Sequence, residues 1–568
     1  MVSAAALAAN AQSMYDAINF SRNDYYGTAR TIGMGSAVTA VGGDLGTISI
    51  NPAGGAVAGY SQFTFSAGFS TASSLAQFTP SYNVNTGSPV AGNQEFPNSK
   101  TRFIVPNVGF NMVFDYDPGS DIRSWNFGMV MNRSNTFTNV FSADGLEGHT
   151  SITGYFATLA DGMPGDVLGR SDVYDSGYAW FPVAAYDGGL INYNPDAGNY
   201  YGSAETRLGS NYEVLGTLRQ KVGTTTLGSK NDLLFNYGLN IRDRLFLGMN
   251  LSIPIISYKY SEYFDETAVD PQDFPVAPQY WEKRSGDYVT KAESNYLGST
   301  FQYSYIADVS GINLKLGAIW LPTDGLRLGA AIQTPTVYTI HEKFFVDVNA
   351  DFANSAYNAS SSSPTAESTY DLVSAWSWNV GAAYTFGRLG MLSVDYEMTD
   401  YGRMSYSRSA EDEYYYSDDP YYQVNRLNEL FCGVSHSLRI GAEFRATPFL
   451  SLRCGYSFIT NPEKYYRDTD GYTVYAGDYD RFFSEYERGT YRLVNGSARY
   501  VSGKSRSLYA GVGYSSAGSF FADFALKRTT FPEAAYRPYG NYIDGVVAPT
   551  VTYTNKLIDA VLTVGWRF

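Results

Sequence analysis

No stretch of this chain approaches the ~18–20 consecutive apolar residues that a membrane-spanning helix requires. From Tyr60 onward it repeats another pattern, apolar and polar residues alternating over strand-length runs. In SLYAGVGY, Leu508, Ala510, Val512 and Tyr514 share one face, and Ser507, Tyr509, Gly511 and Gly513 the other. In LRIGAEFR, Leu438, Ile440, Ala442 and Phe444 oppose Arg439, Gly441, Glu443 and Arg445. About fourteen such runs can be drawn, at 60–71, 102–116, 124–141, 229–241, 244–262, 298–318, 324–350, 368–386, 389–407, 434–446, 448–460, 503–515, 518–530 and 552–568. An even number suits a single-chain outer-membrane barrel.

The connections alternate in the same way. Short turns such as IRDR (241–244), LPTDGL (321–326), TFGRLG (385–390), RATPF (445–449) and SSAGS (515–519) take turns with long polar segments, the longest at about 142–228. A soluble sandwich also alternates. The turn rhythm, the aromatic strand ends and the closing LTVGWRF decide for a barrel, with Ile558, Ala560, Leu562, Val564, Trp566 and Phe568 on one lipid-facing stripe. The expected fold is all-β, a transmembrane antiparallel β-barrel in an outer membrane. Composition agrees: 56 Gly and 50 Tyr beside only 3 His and 2 Cys are the materials of turns and strands. A net charge of −15 argues against nucleic acid as a partner.

The first residues, MVSAAALAANAQS, carry an Ala-Asn-Ala cleavage pattern before Gln12 without a basic start, and read as a residual signal peptide over 1–11. Residues 12–59 form a second unit, and 60–568 the barrel with its outer loops. The second unit holds GMGSAVTAVGGDLGTISINPAGG, too glycine-rich for a strand and too broken for a long helix. Gly33, Gly35, Gly42 and Gly43 permit tight or left-handed backbone, while Pro52 fixes one φ and biases Asn51 toward an extended conformation ahead of Ala53.

YYGTARTIGMGSAVTAVGGDLGTISINPAGG resembles the amino-terminal segment of the FadL/TodX outer-membrane transport proteins. LRLGAAIQTPTVY (326–338), GMLSVDYEMTDY (390–401) and SLRIGAEFRATPFLSLRCGYSF (437–458) resemble that family's middle and late strands. The long outer loops show no match. The resemblance implies a fourteen-stranded barrel whose lumen is closed by residues 12–59 as a hatch, although NPAG also reads as the turn entering the first strand. It further implies a non-enzymatic channel of a Gram-negative outer membrane. Such a channel takes up hydrophobic small molecules, such as long-chain fatty acids or aromatic hydrocarbons, through a gap at a kinked strand. Asn132 to Thr136 is a candidate kink in the third strand, if it is not simply a strand leaving the membrane early, and Pro254 is a second. Partners are then the ligand, outer-membrane lipids and the barrel-assembly machinery, which would read Trp566 and Phe568.

Catalytic constellations are weak. SHSL at 435–438 has Leu where a barrel-wall lipid hydrolase would need Ser, so His436 reads as a rim residue. DTDG at 468–471 has its glycine at the wrong offset for a calcium loop, and no metal or cofactor is expected. EDEYYYSDDPYY at 411–422 reads as a solvated acidic loop. One lumen cluster stands out: with Thr447 at the centre of its turn, Arg453 faces Gly441 and lies diagonal to Arg439 and Glu443. It could hold a carboxylate, or be a charge network lining a polar lumen. The same register puts Cys454 opposite Ile440, too far from Cys432 for a disulfide. The alternative function is a surface receptor or assembly partner for haem, glycan or protein, with His149, His341 and His436 as the only imidazoles for haem.

Overall fold

In the computed structural model the alternating runs become the wall of a closed barrel. It describes residues 13–568 apart from 88–91, 93, 117–118, 169, 171, 176, 209–210, 277–278, 283–286, 291–292, 410–418, 470, 472, 482, 490–491 and 493–497. Residues 1–11, most of the acidic loop 411–422 and Asp470 of DTDG therefore lie outside the described residues. The wall begins with β1 (Gln62–Thr79), β2 (Glu95–Asp115), β3 (Ile122–Thr136) continued by β4 (Asn139–Glu147), β5 (Leu218–Ile241), β6 (Leu245–Ala268) and β7 (Ser294–Trp320). Then come β8 (Leu326–Gln333) with β9 (Val337–Phe352), β10 (Ala366–Val373) with β11 (Ser377–Thr385), and β12 (Gly390–Asp400) with β13 (Ser405–Arg408). The last are β14 (Val434–Arg445), β15 (Leu450–Thr460), β16 (Lys504–Ser515), β17 (Phe520–Thr530) and β18 (Thr550–Arg567). Counting each continued strand once gives fourteen antiparallel staves, closed where β1 pairs with β18 from Gln62↔Arg567 to Thr79↔Thr550.

Outward positions carry the apolar residues. Phe69 is 57% exposed, Phe103 62%, Leu508 59% and Leu562 51%, a belt that only lipid can cover without cost. No described helix is long and apolar enough to cross a membrane. Trp566 faces out opposite Phe63, and Phe568 exchanges backbone hydrogen bonds with Ser61 at 3.0 and 3.2 Å. The short connections cluster at this end. At IRDR both Arg242 and Asp243 take positive φ, 54° and 53°, the twist that a two-residue hairpin turn needs.

All fourteen expected runs are present, and several reach further toward the long loops than alternation shows. Above the lipid belt both faces can be polar, so the signal fades while the ladder continues. Three neighbouring staves also share one interruption: 334–336 between β8 and β9, 374–376 between β10 and β11, and 401–404 between β12 and β13. Pro335 cannot donate there. Side chains take over, with Thr336 N–H donating to Ser374 Oγ at 2.8 Å and Asn313 Nδ2 to Thr336 Oγ1 at 3.0 Å.

One register differs from expectation. Arg453 pairs with Glu443 and Cys454 with Ala442, two residues away from the expected partners, because the hairpin closes around Pro448. Thr447 is one residue early. Its Oγ1 accepts from Phe449 and Leu450 N–H at 3.2 and 3.0 Å and holds the turn in place. Both cysteines are free; Cys454 sits exposed on the outer wall, and Cys432 is buried beside the bridge Cys432↔Glu463.

Candidate functional site

Residues 13–59 lie inside the barrel. They comprise helix α1 (Met14–Ser21), a short α2 (Ala29–Gly33) and two 3₁₀ turns, Leu45–Ser49 and Pro52–Gly54. With so little regular structure, most backbone groups need partners from outside the segment. The wall supplies them as side chains. Inward-facing Asn132, Asn250, Asn379, Asn236 and Asn111 donate to the carbonyls of Leu45, Ile48, Ile50, Pro52 and Gly55 at 2.7–3.3 Å. Lys315 reaches Ser49 O at 2.8 Å, Arg327 reaches Val41 O at 2.8 Å, and Asp395 accepts from Thr39 N–H at 2.7 Å.

The glycines fit this seat. Gly35, Gly42 and Gly43 have positive φ of 64°, 68° and 76°. A Cβ on Gly35 would come within 2.8 Å of the Ile440 carbonyl, and Gly33 lies against Gly511. Asn51 is extended, accepts from Ala53 N–H at 3.0 Å and donates to Thr39 O and Ala318 O. The Asn-Pro-Ala turn packs on wall positions Gly248 and Gly317, which leave room for backbone. It sits within the lumen, several residues ahead of β1.

Charges join the segment to the far wall. Glu443 Oε2 accepts from Arg30 Nε at 3.2 Å and from Arg453 Nε at 2.7 Å, and Arg453 also binds Asp523. Lys527 pairs with Asp24 at 2.6 Å. Arg439 binds Glu397 at 2.7 Å and lies over the Tyr25 ring at 5.1 Å. The three residues singled out in the sequence are thus adjacent but not equivalent. Arg453 is held by two carboxylates, whereas Nε and Nη2 of Arg439, 4% exposed, have no hydrogen-bond partner among the described residues.

The third stave carries the main irregularity. β3 pairs with β2 only from Asp115↔Ser124 up to Asn107↔Asn132. Above that level β2 pairs with β1 alone and β4 with β5 alone, so the wall has no ladder between β2 and β4. β4 turns inward instead: Ser74 Oγ donates to Val140 O, and the Phe141 ring stacks on Tyr553 at 4.2 Å. The irregularity begins where expected, with a register shift opposite Lys230/Asn231 that leaves Ser134 unpaired, and ends in a break at Phe137–Thr138. The luminal segment covers the start of the free edge, as Tyr26 N–H donates to Arg133 O at 3.0 Å and Asp24 N–H to Ser134 O at 2.6 Å. Pro254 interrupts only the ladder to β7, between Ser252↔Asn313 and Ile255↔Ser310.

Above this seat α1 presents Met14, Ala17 and Phe20 to Tyr258, Tyr305, Tyr338, Tyr370 and Tyr406 of the wall, with Phe20 edge-on to Tyr258 at 5.6 Å. Asp16, at the start of α1, is pushed up to about 7 by burial, with Glu342 adding to the effect. Residues 148–217 form a cap at the long-loop end, including α3 (Ile152–Ala160) and α4 (Trp180–Asp187). Its core joins Phe156, Leu168 and Val183 to Phe264, Tyr296 and Tyr539. Burial drives the Glu205 carboxyl well above the usual carboxylate range, against the hydrogen bond from Tyr542.

No family model matches the chain, and no curated protein matches it. Solved structures that resemble it in shape include three outer-membrane proteins. A Pseudomonas aeruginosa FadL homologue is 12% identical over 96% of this chain and 100% of that one, TM-score 0.47. The CymD monoaromatic hydrocarbon channel is 12% identical over 96% and 99%, TM-score 0.43. The P. putida toluene transporter TodX is 12% identical over 96% and 99%, TM-score 0.42.

Proposed function

We propose that this chain is an outer-membrane channel of the FadL/TodX kind, taking hydrophobic small molecules inward without covalent chemistry. Residues 13–59 act as its hatch. The observation that carries the reading is the missing ladder between β2 and β4, at whose lower end Asp24 and Tyr26 cover the carbonyls of Ser134 and Arg133 on β3. An apolar solute gains nothing by crossing a wet lumen to the far side. A sideways exit into the belt keeps it out of water. The cap with its aromatic core is the entry surface, and the tyrosine-lined space holding α1 lies on the route between the two. Arg439 is the residue with donors to spare, so an acid cargo would rest its carboxylate there, while Glu443, itself fixed by Arg453, holds Arg30 and with it the hatch. Trp566 and Phe568 form the end that the barrel-assembly machinery would read.

A cross-link over the gap tests this. Asn98 and Ser142 already touch across it, Ser142 Oγ to Asn98 Oδ1 at 2.8 Å. In a chain with Cys432→Ser and Cys454→Ala, oxidised N98C/S142C should lose uptake of a fluorescent long-chain acid in deletion cells and recover it with reductant. Uptake indifferent to the cross-link would refute the lateral exit, and no uptake by the uncross-linked chain would favour a surface receptor.

A further inference from the structure

On the upper wall Lys343 pairs with Glu367 and Arg219 with Asp144, while Lys100, Lys221 and Lys259 are exposed without an ion pair among the described residues, one to a strand. One sector gathers several such cations together. On three consecutive strands, Lys504 and Arg506 of β16, Arg528 of β17 and Lys556 of β18 all point outward and are exposed. None of the four belongs to an ion pair among the described residues. The register sets them side by side. Arg506 is opposite Thr530 and Arg528 opposite Leu508, so the two guanidiniums are diagonal neighbours, and Lys556 follows opposite Thr530. From β16 to β18 the row spans two strand spacings, about 10 Å. In a chain of net charge −15 it is a concentrated positive field.

Its height on the wall narrows the partner. The next outward residues toward the short turns are Leu508, Leu526 and Ile558, 59%, 44% and 46% exposed, where the lipid belt begins. Lys504 Nζ stands 4.9 Å over the ring of Phe458, and His436 continues the row on β14. Cations therefore sit at headgroup level with acyl-chain surface directly below. The surface is convex and open, so a free anion would meet water on most sides. A ligand that carries phosphates and several acyl chains in one molecule engages both levels at once. We infer that this face of β16–β18 is a binding site for a phosphorylated glycolipid of the outer leaflet, its phosphates on Lys504, Arg506, Arg528 and Lys556 and its acyl chains on the belt beneath. The inference rests on the barrel standing in an outer membrane and not on what it carries.

Native mass spectrometry of the full chain in mild detergent tests it, with bis-phosphorylated lipid A as probe. K504Q/R506Q/R528Q/K556Q should bind at least tenfold more weakly and no better than wild type binds dephosphorylated lipid A. R506K/R528K should keep most binding, and K343Q/R219Q all of it. Equal binding by the quadruple variant, checked as folded by heat-modifiable migration, would overturn the site. Phosphatidylglycerol bound as tightly and lost with the same substitutions would overturn the glycolipid assignment, as would displacement of lipid A by millimolar inorganic phosphate. Uptake assays report separately, because these residues face away from the lumen.

Discussion

The luminal segment and the outer cap are both irregular chain folded against one barrel, and they are held in different proportions of polar and apolar contact. The segment from Asp24 to Gly55 is fixed by wall amides, Lys315 and Arg327 on its carbonyls and by ion pairs at Asp24 and Arg30, with only small apolar patches where Met34, Tyr26, Leu45 and Ala53 meet the wall. The cap is fixed by an apolar core of Phe156, Leu168, Val183, Phe264 and Tyr539. Polar contacts can be exchanged for water one at a time, whereas an apolar core opens only as a unit. The first construction suits a part that rearranges in place, and the second a part that keeps its own shape above it.

The contrast can be broken most forcefully by removing each part in turn. Deleting residues 13–59 should raise single-channel conductance several-fold, and replacing 148–217 with a short linker should change it much less; the reverse order would invert the roles. Next in size, Phe156→Ala should cost the cap about 3–5 kcal/mol, read as faster proteolysis within 148–217 with conductance unchanged. Asn236→Leu with Asn250→Leu strands the carbonyls of Pro52 and Ile48, at about 1–3 kcal/mol each. Hydrogen exchange should then quicken over 45–55 and not in the cap.

A smaller effect comes from Asp16. Its carboxyl titrates near 7 in place and near 3.9 when free, so between those values the seated helix holds a proton that the released one does not. Docking of α1 is then strongest below pH ~4 and weakens as pH rises to 7. Protection of residues 14–21, corrected for chemical exchange, should fall over that range, and Asp16→Asn should flatten the profile. Smallest of all, Arg439→Gln should weaken binding of an aliphatic acid by about 1–3 kcal/mol and leave the matching alcohol unaffected. Equal losses would make Arg439 purely structural.

What could be read in the sequence follows the same division. Lipid enforces alternation on every strand it touches, so all fourteen staves were legible, as was the disturbance at Asn132–Thr136, where lipid-facing positions turn polar. The cap looks like polar loop in the sequence because ITGYFATLA and WFPVAAYD are too short for a helical period to emerge. The turn at Pro448 slipped by one residue, which moved Arg453 from Gly441 to Glu443 and hid its ion pair. The amide collar was missed although its signal is present. Asparagine is scarce in strands, so Asn111, Asn132, Asn236, Asn250 and Asn379 at inward positions ask for an acceptor in the lumen.

The shared interruption at 334–336, 374–376 and 401–404 divides those staves into a lower length bearing the belt and an upper length bearing the loops. Across the division side chains of Ser374, Thr336 and Asn313 supplement a few remaining backbone bonds, Ser374 N–H to Thr336 O and Thr334 N–H to Leu314 O, both at 2.9 Å. With fewer ladder bonds, the seam is where these staves should bend most easily. On the side of β5 and β6 the mutual ladder is unbroken from Leu218↔Ala268 to Ile241↔Leu245, so a load on the cap should be carried further toward the membrane there. The stiff flank is the one that adjoins the gap.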